Sequence, residues 1–433
     1  MQTTGFERGA VNGIRIHVMQ TDRFKTTAIS VFLGTVLDER TVTQVALIPF
    51  VLRRGNASRP ETKLFREALD NLYGAGFGFD IFKRGDYQIV NFRMDVIQDK
   101  FARNQEQLLE AAISFLLETL TKPALENGSF AAKYVDAEKH TVQKKLESIV
   151  NDKARYAAER CIAEMCKDEP YRLHPLGQMD DLHQITPASL FETYQTWLNQ
   201  APIDVYVVGN TTLDEVSRLV EANLTANRTG VPAMYAFSKQ FKKVAQVNEV
   251  IERMDVNQGK LNMGLRVKSA YSDPSYASAL VYNGVLGSFP HSKLFVNVRE
   301  RESLAYYASS RLDSHKGILT IQSGIEIENY EKAVRIIKEQ LHAMRAGDIN
   351  ELEMKQTKAL LSNHLREIGD NAYEMIGFDF NTVLTGKERL VESLLDEIDR
   401  VSVSDIVHIA QDVELDTIYF LRDRKEALSD AKA

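Results

Sequence analysis

The chain has 433 residues, 44% of them hydrophobic and 26% charged, with a formal net charge of -7. That length exceeds one ordinary core and predicts two or three folded domains of average composition. The acidic balance, with no basic run or aromatic-basic stripe to offset it locally, gives no electrostatic footprint for nucleic acid.

The opening segment, MQTTGFERGAVNG, lacks the charged start, apolar stretch and small-residue cleavage site of an export signal. No apolar run approaches the length of a membrane span, so a cytoplasmic protein without membrane association is expected. TTAISVFLGTVLDER then reads as a strand, QVALIPFVL as an apolar helix ending in RRGNAS, and LFREALDNL as a second helix. A strand pair turning near Gly85 follows, and NQEQLLEAAISFLLETL continues as a long helix. YGAGFGF spaces Gly74, Gly76 and Gly78 evenly but precedes a strand. Its glycines therefore read as close packing and a bent edge, not as a phosphate loop.

Further along, Cys161 and Cys166 lie five apart in a helical pattern. That is neither a CxxC redox spacing nor a disulfide framework, and it predicts free thiols in a reducing compartment. The nine His form no HExxH, HxxEH or other pair at ligand spacing, because ligands on one helix must share a face. His174 and His183, around Gly177, do not make a site. Neither a GxSxG elbow nor a Walker A sequence is present. QITPASLFETYQTWLNQAPIDVYVVGN reads as a helix capped by Thr186, with Pro187 at its first position, followed by a short apolar strand.

Gly230 and Pro232 break the periodicity, and the same order then recurs. KLNMGLRVKSAYSD is a strand and SALVYNGVLGSFPHS a helix. KLFVNVRERESLAYYASS opens helically on Leu294, Phe295 and Val298 and ends in a strand, which pairs with another across Gly317. NYEKAVRIIKEQLHAM is the long helix, and a helix capped by Ser402 leads into a last strand. Leu64-Phe65 and Leu294-Phe295 open corresponding segments. The sequence thus predicts two homologous α+β domains, each a largely antiparallel sheet with helices packed on it. Their expected bounds are 1–225 and 241–433, with a linker at 226–240.

The most informative stretch is Arg299-Glu300-Arg301-Glu302 followed by Tyr306 and Tyr307. In the plainest reading Arg299 pairs with Glu300 or Glu302 on a solvated face, and Tyr306 is a half-buried strand aromatic. However, the string LF-x-x-VRE-x-x-x-LAY within a duplicated domain resembles the insulinase-like metallopeptidases, which include pitrilysin and the mitochondrial processing peptidase. The resemblance covers essentially the whole chain, supported by RPETKLFREALDNLYGAGFGFD and PYRLHPLGQMDDLHQIT. It implies two domains arranged as half of a clamshell.

The family's inverted zinc motif, HxxEH, belongs on the helix before RRGN. Laying the Arg-Gly on that pattern puts Ala46 and Phe50 at the two His positions and Pro49 at the general-base Glu. The third ligand falls near Glu147, and a lone carboxylate cannot hold Zn²⁺. Without metal and base no water is activated. The resemblance therefore implies a chain that binds no cofactor and is inactive alone.

In split pairs of this family a subunit without zinc supplies an Arg and a Tyr to its zinc-bearing partner, and Arg299 and Tyr306 occupy those positions. The expectation is a heterodimer with an HxxEH paralogue, zinc sitting in the partner, acting on a peptide substrate. The alternative is a peptide-binding scaffold or a homodimer without hydrolysis. LGSFPHS, around Gly287, is too short to be the extended glycine-rich loop of the non-catalytic mitochondrial subunit. The chain resembles the YmfF-like members of bacterial gene pairs, which implies a context in the modification of elongation factor P.

Overall fold

The computed structural model describes residues 5–103, 107–224, 233–236, 241–302 and 304–424. Two compact units account for the chain, comprising residues 1–147, 173–237 and 368–388, and residues 148–172, 238–367 and 389–433. Gly230 and Pro232, with most of the expected linker, lie outside the described residues.

The first unit is built on β1 (Glu7–Val11), β2 (Ile14–Gln20), β3 (Thr26–Val36), β4 (Gly76–Arg84), β5 (Tyr87–Ile97) and β8 (Ile203–Gly209). They form one six-stranded sheet in the order β1-β2-β8-β3-β5-β4. A separate small ribbon joins β6 (Leu125–Glu126) to β7 (Ser129–Phe130). The second unit carries β9 (Asn248–Arg253), β10 (Gly259–Val267), β11 (Ala305–Asp313), β12 (Ile318–Ile325) and β13 (Val413–Arg422). Their order is β11-β12-β10-β13-β9.

Read from the opposite edge, the first sheet runs β4-β5-β3-β8-β2, which is the second sheet strand for strand, with β1 added outside. Pair directions agree as well. β3 is antiparallel to β5 and β8, as β10 is to β12 and β13, and the one parallel pair is β2 with β8 in the first sheet and β13 with β9 in the second. Two similar α+β units are therefore present, as the sequence repeat predicts.

Local chemistry explains the matching turns and caps. Gly85 (φ 53°) and Gly317 (φ 70°) turn the hairpins β4-β5 and β11-β12 in the left-handed region, which favours glycine. Thr186 and Ser402 each accept from the backbone N–H three residues on, within full capping boxes, and Pro187 sits in the first turn of its helix.

Each unit also takes a helix from the other half of the sequence. The Lys153–Met165 helix, capped by Asp152, buries Ala157 and Cys161 with Tyr419 and Leu421 of β13. The Ala372–Thr385 helix, capped by Asn371 and stopped by Gly386 (φ 68°), buries Ile376, Phe380 and Leu384 in the core over β3 and β8. In both, apolar residues four apart make one stripe that needs a sheet to cover it. Among the described residues no helix is long and apolar enough to cross a membrane.

Candidate functional site

The Val42–Leu52 helix is buried on every side, with only Gln44 reaching beyond the core. Ala46 and Phe50 are 0% and 3% exposed, and Pro49, inside the helix, is also buried. Phe50 meets the ring of Phe79 edge to face at 4.8 Å. The Arg53 guanidinium lies 5.3 Å from the Phe50 ring centre and the Lys145 ammonium 6.0 Å from it. The face that carries Ala46, Pro49 and Phe50 therefore offers no ligating atom and has two cations against it, so it does not fit a divalent metal ion. Glu147, on the same helix as Lys145, accepts a 2.8 Å bond from Gln143. Lys145 was not singled out in the sequence, because a lysine on a solvated helix face looks like any other.

His174 is occupied in a turn, where its Nδ1 accepts from the Leu176 N–H at 3.1 Å. Cys161 and Cys166 are free and buried, and burial pushes the Cys161 thiol well above its ordinary range. Among the described residues no group of three or more His, Cys, Asp or Glu side chains is placed to hold a metal ion.

In the second unit Arg299 and Tyr306 lie on either side of the junction between a helical turn and β11. Residues Phe295–Arg301 form a π-helical turn where the sequence predicts an ordinary helix, and a second π turn spans Gly284–Ser288. Such turns are rare and concentrate at functional sites. Leu294 and Val298 anchor the first turn in the core, while Arg299 is exposed with its guanidinium 4.5 Å from the Phe295 ring centre. Glu302 pairs with Lys332 at 2.7 Å instead of with Arg299. The Leu304 N–H then reaches back to the Val298 carbonyl at 3.1 Å, tying the turn to the start of β11. Gly287 fixes the other side, since a Cβ there would lie 2.6 Å from the Ser310 backbone nitrogen and 2.8 Å from the Leu294 side chain.

Tyr306 is the extra residue of a β-bulge, because Ala305 faces Ile325 and Tyr307 faces Gly324 with Tyr306 between them. The bulge turns it outward, leaving it 64% exposed. Tyr307 goes the other way and lies over Gly324, where a Cβ would come within 2.5 Å of its ring. The Tyr306 hydroxyl donates to Glu326 at 2.6 Å, and that bond to a carboxylate raises its pKa. Among the described residues β11 is an edge strand, pairing only with β12. This corner thus presents a cation, a phenol and an unpaired strand edge.

Comparison with known proteins finds peptidase-like relatives of this chain. A family model described as "Peptidase M16 inactive domain" matches residues 184–361. A relative from Bacillus subtilis (strain 168), "Probable inactive metalloprotease YmfF", is 40% identical over 96% of this chain and 97% of its own length. A second protein of that organism, "Uncharacterized zinc protease YmxG", is 21% identical over 92% of this chain and 93% of its own. The crystal structure of a conserved protein from Enterococcus faecalis V583 superposes with a TM-score of 0.90 at 32% identity, covering 97% of this chain and 99% of that one.

Proposed function

Because the chain belongs to the M16 (insulinase) peptidase family as a non-catalytic member similar to YmfF, we propose that it works as one subunit of a two-chain peptidase. The partner is a zinc-bearing HxxEH paralogue, which brings the metal and the general base. This chain brings Arg299, Tyr306 and a surface for the peptide. The observation that carries the reading is the bulge that turns Tyr306 out of β11 directly after the π turn bearing Arg299. Support comes also from the similarity of this chain, over more than nine-tenths of its length, both to an inactive-metalloprotease relative and to a zinc-protease relative of one organism.

The chemistry required of the pair is modest. When a peptide carbonyl is attacked, negative charge gathers on its oxygen, and preorganised donors are worth most there. Arg299 supplies a charge that does not titrate, and Tyr306 a rigid hydroxyl. A peptide laid along the edge of β11 gains main-chain hydrogen bonds with little demand on its sequence. In this reading Ala46, Pro49 and Phe50 are the degenerate counterparts of the metal motif, and their apolar packing replaces ligands that moved to the partner.

The test is kinetic, on the reconstituted pair. Arg299→Ala and Tyr306→Phe should each lower kcat by about 10²–10³-fold, the effect of deleting one oxyanion donor, with the complex intact by size exclusion. Unchanged kcat in an intact complex removes both residues from the reaction.

A further inference from the structure

We propose that the first unit carries a further site, an arginine pocket that binds the C-terminal carboxylate of a peptide ending in an apolar residue. The pocket is a cleft of about 290 Å³ beside the Val42–Leu52 helix. Arg53 and Arg54, which follow that helix, form one wall, and Arg66 projects from the Thr62–Asn71 helix opposite. Its floor is apolar, made by Phe65, Leu69 and Phe77.

Two of the three guanidinium groups are held from beneath. Glu138, 0% exposed, accepts from Arg53 Nη2 at 3.3 Å and from Arg54 Nε, while the arginine side chains themselves keep 40% and 29% of their surface. One carboxylate therefore orients two forks and uses few of their N–H groups, and both arginines line the cleft. With Arg66 three positive charges line the cleft, against the carboxylates of Glu138 beneath it and Glu61 at the start of the helix, an excess of one. The backbone just after Arg54 is equally fixed. Asn56, fully buried, accepts from the Arg59 N–H at 2.9 Å, and a Cβ on Gly55 would lie 2.6 Å from the Arg59 carbonyl oxygen.

A second feature points to an anion. The Thr62–Asn71 helix starts in the pocket, its N-cap Glu61 makes no side-chain capping bond, and Thr62 turns its hydroxyl to the Arg54 carbonyl at 3.1 Å. The N–H groups of that first turn are thus without a side-chain acceptor, at the positive end of the helix dipole. On this helix Thr62, Phe65, Arg66 and Leu69 fall three and four apart and share one face, so anion donors and apolar floor come together. Planar forks suit a carboxylate, and the phenyl floor suits the side chain next to it. A peptide C-terminus ending in Leu or Phe supplies both from a single residue.

The assignment does not rest on the two-subunit reading, and it is tested on the full chain alone. The probe is a short acetylated peptide ending in Leu, titrated calorimetrically beside the same peptide as its C-terminal amide and beside inorganic phosphate. The acid should bind, the amide about tenfold or more weaker, and phosphate only weakly. Arg66→Gln, which leaves Glu138 paired, should lose the acid's advantage while its thermal unfolding stays that of the unaltered chain. Failure of the acid to bind, equal binding of acid and amide, phosphate binding as tightly as the peptide, or full affinity in Arg66→Gln would each overturn the assignment.

Discussion

The hydroxyl of Tyr306 donates to a carboxylate oxygen of Glu326, the residue that follows β12, at 2.6 Å. That bond holds an exposed phenol in one place, and it also commits the proton that an oxyanion would need. If Tyr306 serves as an oxyanion donor as proposed, substrate has to displace Glu326 from it.

Substituting Glu326→Gln removes the negative charge and should bring the Tyr306 phenol back toward its ordinary value of 10.0. Ultraviolet difference titration, with Tyr306→Phe identifying the signal, measures this. An unmoved titration would show that Glu326 does not govern the phenol.

The exchanged helices make the two halves of the sequence depend on each other. Phe380, 1% exposed, stacks on Phe32 with ring centres 4.0 Å apart. Phe380→Ala should cost about 3–5 kcal/mol in urea denaturation. A fragment of residues 1–225 lacks this helix. It should show no cooperative unfolding alone and regain it when mixed with 241–433.

A buried charge network ties β1, β2 and β8 to the Ala372–Thr385 helix. Asp204, 0% exposed, accepts from Arg15 at 2.6 and 2.7 Å and from His17 Nε2 at 2.9 Å, while Arg8 donates to His17 Nδ1 and to Asp379. Burial alone would raise the Asp204 carboxyl, but hydrogen bonds from Arg15 and His17 outweigh it and hold it below its ordinary 3.8. A depressed carboxylate stabilises the fold above its unfolded pKa, and the stabilisation is lost as pH falls through the folded value. Stability should therefore decline below about pH 4. Asp204→Ala should remove about 3–5 kcal/mol at neutral pH by leaving Arg15 without its carboxylate partner and should flatten the acid limb. A variant with the parental acid profile would contradict this.

Much of the fold was legible because it rests on local signals. Gly85 and Gly317 mark the hairpins, Thr186 and Ser402 the helix starts, and the repeated order of elements fixes two similar units. Three features were not legible, each for a physical reason. Over seven residues from Phe295 to Arg301, a π turn and an α-helix bury nearly the same positions, so Leu294 and Val298 cannot tell them apart. A bulge at Tyr306 is a matter of register with β12, which no periodicity in β11 alone records. The exchange of helices was hidden because stripes such as Ala157-Cys161 and Ile376-Phe380 say only that a face is buried, and two similar sheets offer equivalent cover. Of the candidate site, the loss of ligating side chains at Ala46, Pro49 and Phe50 could be read directly. The cations Arg53 and Lys145 beside Phe50 needed three dimensions.

As proposed, this chain is half of a peptidase whose metal lies elsewhere. The most direct test is the native mass and composition of the assembly recovered when the full chain is tagged and purified from its own organism. The expected result is a one-to-one complex with an HxxEH protein, in which zinc follows the partner. A monomer or homodimer free of any such protein would contradict it.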